Sequence, residues 1–168
     1  MVEEKKNDKE NIASVKARSL SISTKKTVEI CNLIREKKVN TAIKRLELSL
    51  SKKVAIPYNK HNKDTPHKRG KGMMAGRFPI KTIKVIIGLL NSLKANGSDK
   101  GLNAESLLIT KAIANKGAER FHYGRQRGIR MKVTHVDLEA KEVVEKKKEP
   151  KKTEENKVVE KKWLRERY

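Results

Sequence analysis

Residues 106–139 constrain the fold more than any other stretch of the sequence. An apolar series at Leu107, Ile109 and Ile113 alternates with Leu108, Thr110 and Ala112, and a second alternating run follows at residues 129–133. Alternation with a period of two is typical of a β-strand that buries one face. Two such runs joined by a polar connection predict a long β-hairpin over residues 106–139. Its root can pack on a core, whereas its tip must project.

The connection between the two runs, residues 115–128, is basic and aromatic and contains three glycines. Arginine forks match phosphate oxygens, and flat side chains offer stacking surfaces to unpaired bases. We therefore predict that the hairpin tip binds RNA, and the alternative is an ordinary hairpin with a solvated basic loop. The candidate RNA-binding residues on this hairpin are Lys116, Arg120, Arg125, Arg127, Arg130 and Lys132.

The overall charge also indicates a polyanionic partner. The chain of 168 residues has a formal net charge of +22, with 37% charged and only 4% aromatic residues. Such a charge repels itself unless a polyanion neutralises it, so nucleic acid is the first candidate partner and an anionic membrane surface the second. The membrane is disfavoured because the longest apolar run, residues 85–90, is far below the roughly 20 residues of a spanning helix. We expect a soluble, cytoplasmic, anion-binding protein with a small aliphatic core.

Two helices are predicted in the first third of the chain from apolar residues spaced three and four apart. The first places Cys31, the only cysteine, on its buried face, with Ser23 or Thr24 as the N-cap. A lone cysteine excludes an internal disulfide, and we interpret Cys31 as a packing residue. The second helix covers residues 39–50 with Asn40 as its N-cap. The short connection between them predicts that these two helices pack as a tight pair.

The strongest helix signal begins at Pro79 and ends at Asn96-Gly97, where glycine allows a left-handed stop. Its continuous apolar face predicts the central helix of the core. A short strand is predicted at residues 17–23, before the first helix.

Residues 51–78 are predicted to be irregular, because prolines and glycines interrupt them and no period is visible. Lysines and arginines there far outnumber the single acid, so we expect the segment to lie along a phosphate backbone. A metal site at His61 and His67 is disfavoured, since no cysteine is near and the two do not share a helix face. The remaining candidate RNA-binding residues are Arg18, Lys60, His61, Lys63, Lys68, Arg69, Lys71 and Arg77.

Five motifs, in this order and at this spacing, resemble the universal ribosomal protein twenty-two family of the large subunit, in its archaeal and eukaryotic form. The resemblance covers about residues 14–140. The motifs are Val28-Glu-Ile-Cys-Asn-Leu-Ile34, Val54-Ala-Ile-Pro-Tyr-Asn-Lys-His-Asn62, Ala75-Gly-Arg-Phe-Pro-Ile-Lys81, Asn96-Gly-Ser-Asp-Lys-Gly-Leu102 and Thr134-His-Val-Asp-Leu138.

The resemblance implies an α+β fold, in which three helices pack on a small antiparallel sheet and a long β-hairpin protrudes. Residues 15–140 would form the globular RNA-binding domain, between a flexible arm at 1–14 and a charged tail at 141–168. Within the basic insertion at residues 51–78, the resemblance implies that residues 60–77 match an insertion shared by archaeal and eukaryotic members. The return from residue 124 to 134 is a few residues shorter than in the family pattern, so the hairpin is expected to reach less far.

The resemblance also implies a structural constituent of the large ribosomal subunit that binds ribosomal RNA. Neighbouring large-subunit proteins would be partners, with nascent polypeptide as a further candidate, and neither a cofactor, a membrane nor a homo-oligomer is expected. The hairpin tip would line the peptide exit tunnel. The tunnel-lining residues so implied are Phe121, His122, Tyr123, Gly124, Arg125, Gln126 and Arg127.

Two other function classes agree less well with the sequence. A free-standing basic nucleic-acid-binding protein would carry the same charge, but it seldom needs an isolated projection with so little core of its own. An enzyme acting on RNA would need convergent acid, base or metal groups, and the scattered histidines and carboxylates provide none. We therefore expect no catalytic residues.

Overall fold

The computed structural model describes residues 11–70 and 72–143, and both predicted terminal segments extend outside this range. The three helices and small antiparallel sheet form the predicted α+β fold, which is confirmed. A single 3₁₀ turn, Gly124–Gln126, lies between the last two strands. The elements in chain order are β1 (Ile12–Leu20), α1 (Thr24–Ile34), α2 (Val39–Leu50), β2 (Ile56–Pro57), β3 (Gly76–Arg77), α3 (Ile80–Asp99), β4 (Leu107–Lys116) and β5 (Thr134–Glu142).

The main sheet has the antiparallel order β1-β5-β4, so β5 is its central strand. Every second residue of β5, from Thr134 to Ala140, is buried. Polar groups from other elements cover both outer edges of the sheet, which would otherwise expose unpaired backbone groups. Lys100 Nζ donates to the Ile12 carbonyl at 2.8 Å, and Arg35 Nη2 donates to the Ala112 carbonyl at 3.0 Å.

Helix α3 is the central helix of the core, as predicted. Ile83, Ile86, Leu90 and Leu93 expose no surface, and the helix packs against both β1 and α2. Helix α1 packs instead on β4. The prediction that α1 and α2 form a tight pair is therefore wrong. The loop between them pairs with the edge of β4, where Ile109 N–H donates to the Lys37 carbonyl at 3.0 Å, and this contact directs α2 towards α3.

Helix ends differ from the predictions at three positions. Ser23 is the N-cap residue of α1, but its side chain makes no capping hydrogen bond. The N-cap of α2 is Lys38 rather than Asn40, whose Oδ1 accepts a hydrogen bond from Lys94 Nζ at 3.3 Å. Helix α3 does not stop at Gly97 but continues to Asp99.

Gly97 has a packing role instead of a stopping role. It is buried, and an added Cβ would lie 2.8 Å from Leu107 Cδ1 of β4. The missing side chain thus lets α3 approach the sheet closely. The left-handed residue that follows the helix is Gly101, with φ of +74°.

The first strand begins earlier than predicted. Residues 12–14, assigned to the flexible arm, belong to β1, and Ala13 pairs with Ala140 and exposes no surface. The predicted strand at 17–23 overlaps only the end of β1. Small buried residues such as Ala13 give a weak apolar pattern, which explains why the start of the strand was missed.

The hairpin is shorter in its paired part than predicted. Its ladder runs from the pair Leu107–Glu142 to the pair Lys116–Thr134, so residues 129–133 lie outside β5. A register shift between Ile109 and Lys111 changes the phase of β4. It turns Ala112 inward and leaves Ile113, predicted in the buried series, exposed.

Candidate nucleic-acid interface

The hairpin tip, residues 117–133, is a doubled-back loop held by scattered backbone hydrogen bonds. Gly117 N–H donates to the Val133 carbonyl at 3.0 Å, and His122 N–H donates to the Ile129 carbonyl at 2.9 Å. The two sides approach closely at the base of the loop, where a Cβ on Gly117 would lie 2.6 Å from Val133 Cγ1. The tip therefore keeps a hairpin outline without a continuous ladder.

Most side chains of the tip are exposed, and none is fully buried. Phe121 is 58% exposed and Tyr123 is 87% exposed, although large aromatic side chains are usually mostly buried. Arg125 and Arg127 are exposed as well, and neither makes an ion pair within the described part of the chain. Exposed rings beside unpaired guanidinium groups suit base stacking and phosphate binding.

One acid, Glu119, organises the base of the tip. Its carboxylate lies 3.1 Å from Lys116 Nζ and 3.9 Å from Arg130 Nη1. The Arg130 guanidinium also lies over the Phe121 ring, 5.2 Å from its centroid. Two of the predicted RNA-binding cations thus have partners inside the protein, and Arg130 holds the Phe121 ring in place.

The basic segment, residues 51–78, packs on the core through Ile56 and Tyr58 and is bound to α1 by one buried carboxylate. Glu29 is 2% exposed, and its oxygens accept the backbone N–H groups of three successive residues. The distances are 3.1 Å from Asn59, 3.0 Å from Lys60 and 2.6 Å from His61. These N–H groups face the protein interior. Glu29 was not among the predicted site residues, since its partners lie thirty residues further along the chain.

The segment is also more regular than predicted. Strands β2 and β3 form a two-stranded antiparallel sheet, and Tyr58 N–H donates to the Ala75 carbonyl at 2.9 Å. Lys68 N–H donates to the Met74 carbonyl at 2.8 Å, which closes the loop between the strands. The segment is thus held by backbone hydrogen bonds of the protein itself, and outside this short strand pair it is irregular, as predicted.

The predicted cations of this segment face solvent. Lys60, Lys63 and Arg69 are exposed, whereas His61 is half-buried. Lys68 Nζ lies 5.9 Å from the centroid of the Phe78 ring. The last two predicted residues are Arg77, whose guanidinium donates to the Asp64 carbonyl, and Lys71, which lies outside the described residues.

The start of α1 connects the segment to the hairpin, which sequence reasoning missed. Lys25 lines a cleft together with Lys60 and Lys63, and it also lines a depression together with Lys116 and Lys132. The positive end of the α1 dipole adds to the charge of these side chains. We call this continuous region, from the basic segment over Lys25 to the base of the tip, the basic surface.

Arg18 stands apart from this group. Its Nη1 lies 3.2 Å from Asp137 Oδ1 in the sheet. That oxygen receives no hydrogen bond from the described residues, so the contact is an ion pair without hydrogen-bond geometry. Arg18 has an internal partner, and its contact with RNA stays a prediction.

The structure confirms the packing role predicted for Cys31. Cys31 is buried, and burial raises the pKa of its thiol to about 12, so it is protonated and unreactive at neutral pH.

Within residues 11–70 and 72–143, no three His, Cys, Asp or Glu side chains are arranged to hold a metal ion. In the same part of the chain, no helix combines the length and apolarity needed to cross a bilayer.

The sequence matches a known family over most of its length. The profile of the family described as Ribosomal protein L22p/L17e matches residues 15–141. The chain belongs to this family. The matched region includes all three helices, the basic segment, the hairpin and most of β1 and β5, so the resemblance inferred from the five motifs is confirmed.

Three archaeal proteins illustrate the similarity to members of this family. The Large ribosomal subunit protein uL22 of Methanococcus aeolicus is 42% identical over 111 residues, which are 66% of this chain and 72% of that protein. The protein of the same name from Methanoregula boonei is 40% identical over 122 residues, 71% of this chain and 79% of that protein. That of Archaeoglobus fulgidus is 39% identical over 142 residues, 81% of this chain and 92% of that protein.

Proposed function

We propose that this protein is a structural constituent of the large ribosomal subunit, that it binds ribosomal RNA and that it has no catalytic role. The family match over residues 15–141 and the name shared by its relatives support this proposal. The structural observation that carries it is the basic surface, because Glu29 and the β2–β3 pairing order the backbone of its basic segment in the free protein. RNA helices are bound largely by shape and phosphate contacts, which a fixed array of cations favours.

The hairpin tip has a separate role in this proposal. It projects into the subunit and forms part of the wall of the peptide exit tunnel, with Phe121, Tyr123, Arg125 and Arg127 exposed to RNA or nascent chain. The absence of an internal partner for Arg125 and Arg127 within the described residues supports this role. The proposed partners are ribosomal RNA, neighbouring large-subunit proteins and nascent polypeptide, and one copy of the chain enters each cytoplasmic ribosome.

Sedimentation in high salt tests the subunit assignment. Tagged full-length chain is expressed in cells, and the lysate is run through a sucrose gradient at rising salt. Electrostatic binding alone weakens steeply with salt, whereas a protein enclosed by RNA leaves slowly. We expect stoichiometric retention on the large subunit. Release into the light fractions at moderate salt would instead favour a free-standing basic nucleic-acid binder.

Photo-crosslinking tests the tunnel assignment. A benzoyl-phenylalanine side chain replaces Tyr123 at the tip, and the same replacement at Leu48, an exposed residue of α2, is the control. With a radiolabelled nascent chain stalled on the ribosome, we expect a crosslink from position 123 and none from position 48. A crosslink to RNA alone from position 123 would confine the tip to RNA contact.

A further inference from the structure

A cleft of about 400 Å³ separates the start of α1 from the basic segment. Lys25 and Lys26 line one wall, and Lys60, Lys63 and Arg77 line the other. One carboxylate, that of Asp64, also lines it. Five cations around a single acid leave a strongly positive local potential that favours an anion.

The helix end that opens on this cleft lacks a cap of its own. The N-cap residue Ser23 makes no side-chain hydrogen bond, and the first turn of α1 contains no acid. Most helices satisfy some of their first N–H groups with a polar side chain. Here these donors and the positive end of the helix dipole are left for a ligand.

A buried and unpartnered hydroxyl gives independent evidence for a ligand. Tyr58 lines the cleft and is only 5% exposed, yet its hydroxyl has no hydrogen-bond partner among the described residues. Leaving such a group unpaired is unfavourable, so native structures rarely keep one without a reason. The pKa of this hydroxyl is raised to about 12, chiefly because the group is buried. The phenol is therefore protonated at neutral pH and can donate a hydrogen bond.

We infer that this cleft binds one phosphodiester group of the RNA backbone, held by Lys25, Lys26 and the Tyr58 hydroxyl. Glu29 fixes the wall of the cleft, because it draws three backbone N–H groups inward and leaves the Lys60 side chain exposed at the cleft. The inference rests on the proposed function in one respect, namely that RNA is the polyanion.

Salt-dependent binding to a labelled single-stranded polyuridylate tests the site with the full-length chain. The double variant Lys25→Gln/Lys26→Gln is compared with Lys44→Gln/Lys84→Gln, which removes the same charge from exposed positions on α2 and α3. Loss of one phosphate contact lowers the slope of log K against log salt by about 0.7. We expect that loss in the cleft variant and a smaller change in the control. Equal slopes in the two variants would overturn the site.

Tyr58→Phe separates binding from general stability. The change removes an unpaired buried hydroxyl, so the free protein should melt at a higher temperature than wild type. The same change should weaken polyuridylate binding by about tenfold with an unchanged salt slope, because a hydrogen bond is lost and no charge is. Unchanged affinity would show that the hydroxyl meets no phosphate.

Two further comparisons keep the result unambiguous. If the double lysine variant does not fold, Lys25→Gln against Lys44→Gln repeats the slope measurement. Inorganic phosphate presents the same oxygens as a phosphodiester, so at equal ionic strength it should displace polyuridylate from wild type better than chloride does, and this advantage should be lost in the cleft variant; an advantage of equal size in both proteins would overturn the proposal. Polyuridylate binding does not depend on ribosomes, so failure here leaves the sedimentation result to decide the proposed function separately.

Discussion

Replacing Glu29 by Gln tests whether one buried carboxylate holds the basic segment on α1. In the native protein its Oε1 accepts two N–H groups, from Lys60 and His61, and its Oε2 accepts one from Asn59. Glutamine keeps one oxygen, which can serve the first two donors. Its NH₂ group then faces Asn59 N–H, and two donors oppose each other.

The expected cost follows from these three contacts. Losing the Asn59 bond and leaving a donor unpaired costs about 1–3 kcal/mol. The two remaining hydrogen bonds become weaker because their acceptor is no longer charged. A hydrogen bond to a neutral acceptor is roughly half as strong as one to a charged acceptor, so the two bonds together lose about 1 kcal/mol. The two terms sum to about 2–4 kcal/mol, and because they share one side chain and do not add fully, we expect Glu29→Gln to lower the free energy of unfolding by about 2–3 kcal/mol.

Urea unfolding followed by far-ultraviolet circular dichroism measures this loss. Glu47→Gln is the matched control, because Glu47 lies exposed on α2 and the change removes the same charge; its effect should stay within about 0.5 kcal/mol. Amide hydrogen exchange should also lose protection at Asn59, Lys60 and His61. Wild-type stability together with wild-type protection at these amides would refute the argument that Glu29 anchors the segment.

The remaining predictions concern the core helix and the tip. Ile86→Asp buries an unpaired charge in the core, so circular dichroism should show no cooperative unfolding transition. Gly88→Ala should raise stability by about 0.5–1 kcal/mol through helix propensity, since its Cβ would meet nothing within 4 Å. Gly97→Ala should lower stability instead, because its Cβ would lie 2.8 Å from a buried leucine of β4; urea unfolding compares the two. Arg125→Ala/Arg127→Ala should keep the wild-type melting temperature while salt releases more chain from the large subunit in a sucrose gradient, and unchanged retention would exclude a role for the tip in seating.

Helices with one apolar stripe could be located from the sequence because their signal is local. Residues 39–50 were predicted as a helix and form α2 with the same bounds. The end of α3 could not be placed in this way. A glycine after asparagine serves equally as a left-handed stop or as a point of close approach, and the choice at Gly97 depends on Leu107, a residue of the adjacent strand.

The positive charge of the site could be predicted from the sequence, whereas the spatial arrangement of its residues could not. Exposure of Arg125 and Arg127 followed from the lack of apolar neighbours along the chain. Lys25 looked like an ordinary surface lysine of an amphipathic helix, and its place between the segment and the tip depends on how α1 packs on β4. Tertiary contacts of this kind leave no pattern in a single sequence.

Glu29→Gln also separates two ways in which the segment could contribute to RNA binding. If the segment becomes ordered only on RNA, loss of a negative charge tightens binding slightly. If Glu29 orders the segment in the free protein, residues released by the Glu29→Gln change must be ordered again when RNA binds. This costs about 1–2 kcal/mol per residue, so one released residue lowers the affinity of the variant about tenfold. The number of phosphates contacted is the same in both cases, so the salt slope should match wild type. The two hypotheses therefore predict opposite changes in polyuridylate affinity when Glu29→Gln is compared with wild type at several salt concentrations. Tighter binding by the variant would rule out ordering of the segment by Glu29 in the free protein.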